Sequence, residues 1–161
     1  MCIRDSIITK QEKKNYLDVS YGIGSFHTHK ADLNAQFVEP KTGLIIRPTV
    51  GVNYSKNDYR MKDVQMRDES GDNFIYGNPK RFHDDYFSLL GQIEVGVANK
   101  SWADAFFVSA SYSKTDKELQ TGSVQDKVYG MAERNSDAWN ISAHYQKRNF
   151  ILKNMQLNAA L

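Results

Sequence analysis

The chain has 161 residues, a formal net charge of +2 and a charged fraction of 25%. A near-neutral balance gives no push towards nucleic acid, and the supply of Tyr and Phe excludes a disordered chain. No run of about 18 apolar residues occurs, so a membrane-crossing helix is excluded as well. The first six residues, MCIRDS, read as the translation of a sequencing adapter, so fold reasoning starts at Ile7. Setting them aside also removes Cys2, the only cysteine, and with it any disulfide framework, zinc cluster or thiol nucleophile. A start upstream of this sequence is expected, so the lack of a leader says nothing about compartment.

From residue 15 onward apolar side chains alternate. In the run 15–24, Leu17, Val19, Tyr21 and Ile23 share a face, with Asp18 and Ser20 on the other. The pattern returns with Ala31, Leu33, Ala35 and Phe37, and then with Leu44, Ile46, Val50, Val52 and Tyr54. It continues in Phe87, Leu89, Ile93, Val95 and Val97, then in Phe106, Val108, Ala110 and Tyr112. Trp139, Ile141, Ala143 and Tyr145 form the next run, and Met155, Leu157, Ala159 and Leu161 the last. Successive strand residues point to opposite faces, so each run carries one apolar and one polar face. The expected fold is all-β, an antiparallel up-and-down sheet of about seven meander strands. Strands of roughly 9–11 residues with this alternation are the pattern of a transmembrane β-barrel, lipid outside and water inside. The mean hydropathy of −0.60 is compatible with that, because a barrel strand gives half its residues to the lumen.

The connections fall into two classes. Glu39-Pro40-Lys41-Thr42-Gly43, Ala98-Asn99-Lys100-Ser101 and Lys147-Arg148-Asn149 are short, whereas 56–85 and 114–137 are long, charged loops. Outer-membrane barrels have short periplasmic turns and long outer loops, which sends the strand near 15 outward. Tyr21, Tyr54, Phe87, Tyr112 and Trp139 then fall at outer strand ends, and Phe37, Trp102, Tyr145 and Phe150 near the inner ends, as in two aromatic girdles. Complete bacterial barrels have even strand numbers and no open edge, so seven strands read as an arc of a larger barrel.

Ile7-Ile8-Thr9-Lys10, followed by Tyr16-Leu17-Asp18-Val19-Ser20-Tyr21-Gly22 and the turn Gly24-Ser25-Phe26-His27-Thr28, resembles TonB-dependent receptors. In that family a plug ending close to "INIITK" precedes the first barrel hairpin, which often carries a Gly-Ser-Phe-x-Thr turn. The resemblance covers nearly all of 7–161. It implies 7–14 as the end of the plug and its linker, 15–161 as the first part of the barrel, and about 22 strands in the whole. It also implies a bacterial outer-membrane receptor, not an enzyme and with no cofactor. Its partners would be outer-membrane lipid, the TonB complex acting through the plug, and a scarce nutrient: a ferric siderophore or other iron chelate, haem, cobalamin or a glycan. The alternative is a smaller outer-membrane barrel acting as a passive porin or membrane enzyme. No Ser/His/Asp grouping or phosphate loop stands out to support the enzyme.

Candidate ligand contacts at the outer loops are His27, His29, Tyr59, Arg60, Phe74, Tyr76 and His83. His27 and His29 are two apart and share a face in an extended segment, a spacing that can serve a metal; the plainer reading is two exposed turn residues. His83-Asp84-Asp85 offers N and O ligands or simply caps the loop before strand 87–97. Tyr59, Phe74 and Tyr76 either stack on a ligand or pack loop on loop, and packing is the preferred reading. Asp68-Glu69-Ser70-Gly71-Asp72 has a flavour of a calcium loop without its ligand spacing. Asp32, Arg47, Glu94 and His144 face the lumen, where structural pairing is expected.

Overall fold

A computed structural model describes residues 14–122, 127–151 and 155–161. Ile7, Ile8, Thr9 and Lys10 lie outside the described residues. The described part is all-β. Strands β1 (Tyr16–Gly24), β2 (Thr28–Glu39), β3 (Leu44–Ser55), β6 (Tyr86–Ala98), β7 (Ala105–Glu118), β8 (Glu133–Arg148) and β9 (Gln156–Ala160) form one sheet in that order. Every neighbour pair is antiparallel. The sheet is not closed: β1 and β9 are its edges. A separate hairpin, β4 (Val64–Arg67) and β5 (Phe74–Gly77), stands between β3 and β6.

The register holds all seven apolar sets on one face. Val19 lies opposite Leu33, Leu33 opposite Val50, and Val50 opposite Gly91. Ile93 lies opposite Ala110, Ala110 opposite Ile141, and Tyr145 opposite Ala159. A slip of one residue in any pair would turn that strand's apolar set to the other side. The other face carries Asp18, Asp32, Asn34, Arg47, Gln92, Glu94, Ser109, Ser142 and their neighbours in register.

Local chemistry sets the turns. Phe26 and His27 both have left-handed backbone, φ 59° and 56°. That is the mirror-image turn whose twist matches a hairpin, and Thr28 N donates to Ser25 O across it at 3.3 Å. Neither residue is Gly, so each conformation costs about 1–2 kcal/mol. The tip is held from outside by Lys56 N, which donates to Phe26 O at 3.1 Å. Gly43 (φ 67°) closes the β2–β3 turn, its N donating to Glu39 O at 2.8 Å. Pro48 interrupts the β2–β3 ladder: register is continuous for 29–34 and 37–39 of β2 but skips Ala35 and Gln36, opposite Pro48 and Arg47. Proline has no N–H to give that ladder.

A small apolar cluster sits on the otherwise polar face, at the short-turn end. Ile45, Ala105 and Phe107 are buried there, with Val38 and Ala98 against them. Phe107 lies over Gly96, where an added Cβ would collide with the Phe107 ring and the Phe106 carbonyl. Arg47 bridges this cluster to the polar residues above it. Its guanidinium stands 4.8 Å from the Phe107 ring centroid, donates from Nη1 to Glu94 at 2.6 Å and donates from Nε to Gln36 at 2.8 Å.

Three expectations need correction. The loop 56–85 contains the β4–β5 hairpin, because Val64-Gln65-Met66-Arg67 and Phe74-Ile75-Tyr76-Gly77 pair across their own turn. The loop 114–137 is shorter than expected: β7 runs on to Glu118 and β8 starts at Glu133, and polar pairs such as Lys114–Asp137 and Thr115–Ser136 continue the ladder. Alternating hydrophobicity cannot reveal strand ends that are polar on both faces. The third short turn also begins later, since β8 extends to Arg148.

The aromatic pair Tyr112–Trp139, ring centroids 4.5 Å apart, is therefore not at the strand ends, and each ring lies six residues short of its strand's end. On β7 and β8 it marks where the apolar face stops; on β6, Leu89 and Phe87 continue that face opposite Lys114 and Asp116. Above it, the same face carries Lys114, Asp116 and Asp137.

Candidate functional site

The chemistry-bearing side chains gather at the long-loop end. Asp84 is at their centre, 6% exposed. It pairs with Arg81, three residues earlier, and with the Lys117 Nζ on β7 at 2.6 Å. Lys117 also donates to the Asp84 carbonyl at 2.9 Å. The Tyr54 hydroxyl at the end of β3 donates to Asp85 at 3.0 Å, and Asp85 N donates to Glu118 at 2.9 Å. His83 lies between Glu118, 3.4 Å from Nδ1, and the Ala132 carbonyl, 3.0 Å from Nε2. The Gln120 side-chain oxygen accepts from Phe82 N at 2.9 Å and from His83 N at 3.4 Å. Loop segment 78–85 is thus tied to both strands that lead into the next loop.

A second set of contacts ties in the first hairpin. The Phe26 and Tyr59 rings meet at 5.5 Å, and the Arg81 guanidinium stands 5.5 Å from the Tyr59 ring centroid. Asp58 takes Lys80 at 3.0 Å and His27 at 3.5 Å. The hydrogen bond from Lys80 holds the Asp58 carboxyl below its ordinary value, and His27 adds to the effect.

These contacts distribute the predicted residues unevenly. His27, Tyr59 and His83 belong to the loop assembly. Arg60 bridges to Lys80 through backbone and donates to Asn78 O at 3.3 Å. Tyr59 is packing between loops, as preferred from the sequence. His29 is elsewhere: it shares a 2.7 Å hydrogen bond with the Tyr21 hydroxyl and stacks on that ring. The expectation that His27 and His29 share a face fails, because His27 is in left-handed turn geometry where strand alternation does not apply. Phe74 and Tyr76 are on the exposed hairpin, Phe74 beneath the Arg67 guanidinium at 4.7 Å. His83-Asp84-Asp85 does more than cap the loop, since all three tie it to Lys117 or Glu118 of β7, and Asp85 also to Tyr54 of β3.

The 68–72 turn uses its carboxylate locally. Asp68 accepts from the Ser70 hydroxyl at 2.7 Å and from the Asn73 side-chain amide at 3.0 Å, with Asp72 N at 3.1 Å. These donors, Ser70 first, pull its pKa from an ordinary 3.8 to about 2. A carboxylate ringed by N–H and O–H donors is already satisfied within its own turn, which speaks against the calcium flavour. Among the described residues no group of three His, Cys, Asp or Glu side chains converges.

Lys117, Glu118 and Gln120 escaped sequence reasoning. They lie in a stretch with no apolar periodicity, and their partners are distant in the chain. Of the candidates expected to face the lumen, Arg47 and Glu94 pair with one another, and Asp32 takes Ser20 at 3.3 Å and Lys30 at 3.9 Å.

Several pockets open beside the assembly, one of about 300 Å³ against Tyr54, Asp85, Lys117 and Glu118, and two others differ in character. One of about 260 Å³ is bounded by Lys56, Asp58, Lys80, Arg81 and Asp85 and is charged on nearly every side. The other, of about 340 Å³, is mostly apolar and lies between the β4–β5 hairpin and the 119–132 loop. Comparison with known protein families, characterised proteins and solved structures returns no match.

Proposed function

We propose that this chain is an arc of a transmembrane β-barrel, and that the barrel is a TonB-dependent receptor of the bacterial outer membrane taking up a scarce nutrient such as an iron chelate. One observation carries the reading: an apolar sheet face, seven strands wide, has nothing packed on it among the described residues. Leu17 is 66% exposed, Ile23 71%, Trp139 74% and Ile141 74%, and Val50, Ile93 and Val108 are exposed with them. Monomeric proteins in water rarely leave so broad an apolar patch open. Lipid would cover it, and the polar face opposite would line a wet interior. The change from apolar to polar above Tyr112–Trp139 fits a membrane boundary.

The receptor part rests on the resemblance of 7–10 and 16–28 to the end of a plug and a first barrel hairpin. The open edges β1 and β9 fit a barrel completed by further strands. In this reading the tied loops face outward, where nutrient is captured.

The test is single spin labels along β6 and β8, in a Cys2→Ser background, after reconstitution into lipid bilayers. Labels at Ile93 and Ile141 are expected to be quenched by oxygen dissolved in the bilayer. Those at Gln92 and Asn140 are expected to be quenched by a water-soluble nickel chelate. Equal accessibility at neighbouring positions overturns the barrel reading. Uptake of an iron chelate that survives collapse of the inner-membrane proton gradient overturns the receptor reading alone.

A further inference from the structure

The 340 Å³ pocket has a composition unlike the rest of the loop end. Its wall is apolar over Met61, Val64, Met66, Phe82 and Val128. Met61 and Val64 are buried at its base, while Phe82 and Val128 are exposed at its rim. Such a space equals about eleven liquid water molecules and falls at the small end of ligand pockets.

Among the described residues its charge has one sign: Arg67 and Lys80 are in the wall and no carboxylate is. Lys80 is paired with Asp58. Arg67 donates to Gly71 O at 2.8 Å and covers Phe74, and it has no carboxylate partner among the described residues.

The third feature is Gln120, 3% exposed and part of the same wall. Its oxygen is used by the two N–H groups of Phe82 and His83. Its Nε2 donates to nothing among the described residues. No fully occluded side-chain polar atom of these residues lacks a partner, so this nitrogen is not sealed off, and Gln120 lines the pocket. A near-buried amide donor without an acceptor is costly unless something from outside completes it.

We propose that this pocket binds a small monocarboxylate. Its compact apolar body, about ten non-hydrogen atoms, lies on Met61, Val64, Met66, Phe82 and Val128. Its carboxylate accepts from Gln120 Nε2 in the positive field of Arg67 and Lys80. An apolar wall selects the body, and the orphan donor with unbalanced charge selects an anionic head over a neutral one. The inference uses only the pocket and stands whether or not the barrel transports anything.

The probe is 4-phenylbutyrate, compared with its neutral isostere 4-phenylbutyramide, titrated against the full chain in lipid nanodiscs. Empty nanodiscs measure partition into lipid. Saturable binding of the acid is expected, with the amide about tenfold weaker. Arg67→Gln is expected to weaken the acid about tenfold and leave the amide unchanged. Gln120→Glu keeps an acceptor oxygen for Phe82 N and His83 N but removes the donor and adds a like charge, so it abolishes binding of the acid. Val128→Trp, at the exposed rim, fills the pocket and removes binding of both. Equal affinity of acid and amide, indifference to Arg67→Gln, or no saturable binding by the parent chain overturns the proposal. The comparison of acid with amide needs no variant to fold. Spin-label accessibility reports the barrel separately, so failure of one reading is not mistaken for failure of the other.

Discussion

The two ends of the sheet are held by opposite means. At the short-turn end Ile45, Ala105 and Phe107 make a small apolar cluster, and the turns close with their own backbone. Asn99 N reaches Asp104 O at 2.9 Å, and Lys100 N reaches Ala103 O at 2.8 Å. The neighbouring strand adds to this from far along the chain, as Tyr145 donates to Trp102 O at 2.6 Å and Lys147 to Ser101 O at 2.7 Å. At the long-loop end backbone ties within a loop, such as Arg81 N to Tyr59 O at 2.9 Å and Leu119 N to Ala132 O at 2.8 Å, are joined by side-chain ties between loops. There Asp58, Asp84, Asp85 and Glu118 hold together pieces of chain far apart in sequence. Short connections let backbone geometry do the work, while long polar loops need charge-assisted cross-links because they bury little apolar surface.

The largest effect expected from breaking this comparison is at Asp84. Asp84→Ala strips Arg81 and Lys117 of their shared carboxylate in a nearly buried site, costing about 3–5 kcal/mol. The loss is expected to be confined to the loop end. Hydrogen exchange should accelerate at residues 78–85 and 118–120 and stay unchanged in the 99–104 turn. Uniform acceleration would mean the two ends are not independent.

Next in size is the middle of the sheet. Under the barrel reading, Ile93→Arg on the apolar face costs about 2–4 kcal/mol in lipid, while Gln92→Arg on the polar face costs little. Urea unfolding of reconstituted protein measures both. Equal losses would remove the distinction between the faces.

At the short-turn end, Gly96→Ala drives a methyl into the Phe107 ring and the Phe106 carbonyl, at about 1–3 kcal/mol. Adding Phe107→Ala should recover part of that loss by removing one of the two collisions, a coupling that a double-mutant cycle reads directly. Simple additivity would show that Phe107 does not pack on Gly96.

The smallest effect is a local pH dependence at the β4–β5 hairpin. The Asp68 carboxyl is the stronger acid in the folded turn, about 2 against 3.8. Its contribution is therefore fully present above about pH 4 and disappears as pH falls through about 2. The Asn73 side-chain amide resonance should titrate with that low midpoint, and Asp68→Asn should abolish the titration. A midpoint near 4 would mean the turn does not donate to the carboxylate.

Much of the architecture was legible in the chain because strand periodicity is a local signal. Leu17 to Ile23, Leu44 to Tyr54 and Trp139 to Tyr145 each name their face without reference to any neighbour, and in the seven-strand antiparallel meander these runs neighbour one another in chain order, across short turns and long loops alike. The ends of β7 and β8 were hidden, since Lys114 to Glu118 and Glu133 to Asp137 are polar on both faces and only pairing with each other makes them strands. The β4–β5 hairpin was hidden for a related reason: four-residue strands are too short for periodicity to register.

The loop end shows the division most clearly. The chain alone displayed charged loops, His83-Asp84-Asp85 among them, and a turn at Gly24–Thr28. Tertiary structure decided that Asp84 meets Lys117, that Tyr59 lies between Phe26 and Arg81, and that Gln120 supports Phe82 while facing a pocket. The physical reason is range. Alternation and turn preference act between residues a few positions apart and can be read along the chain, whereas an ion pair or a pocket wall joins residues tens of positions apart and exists only once the sheet has set its register.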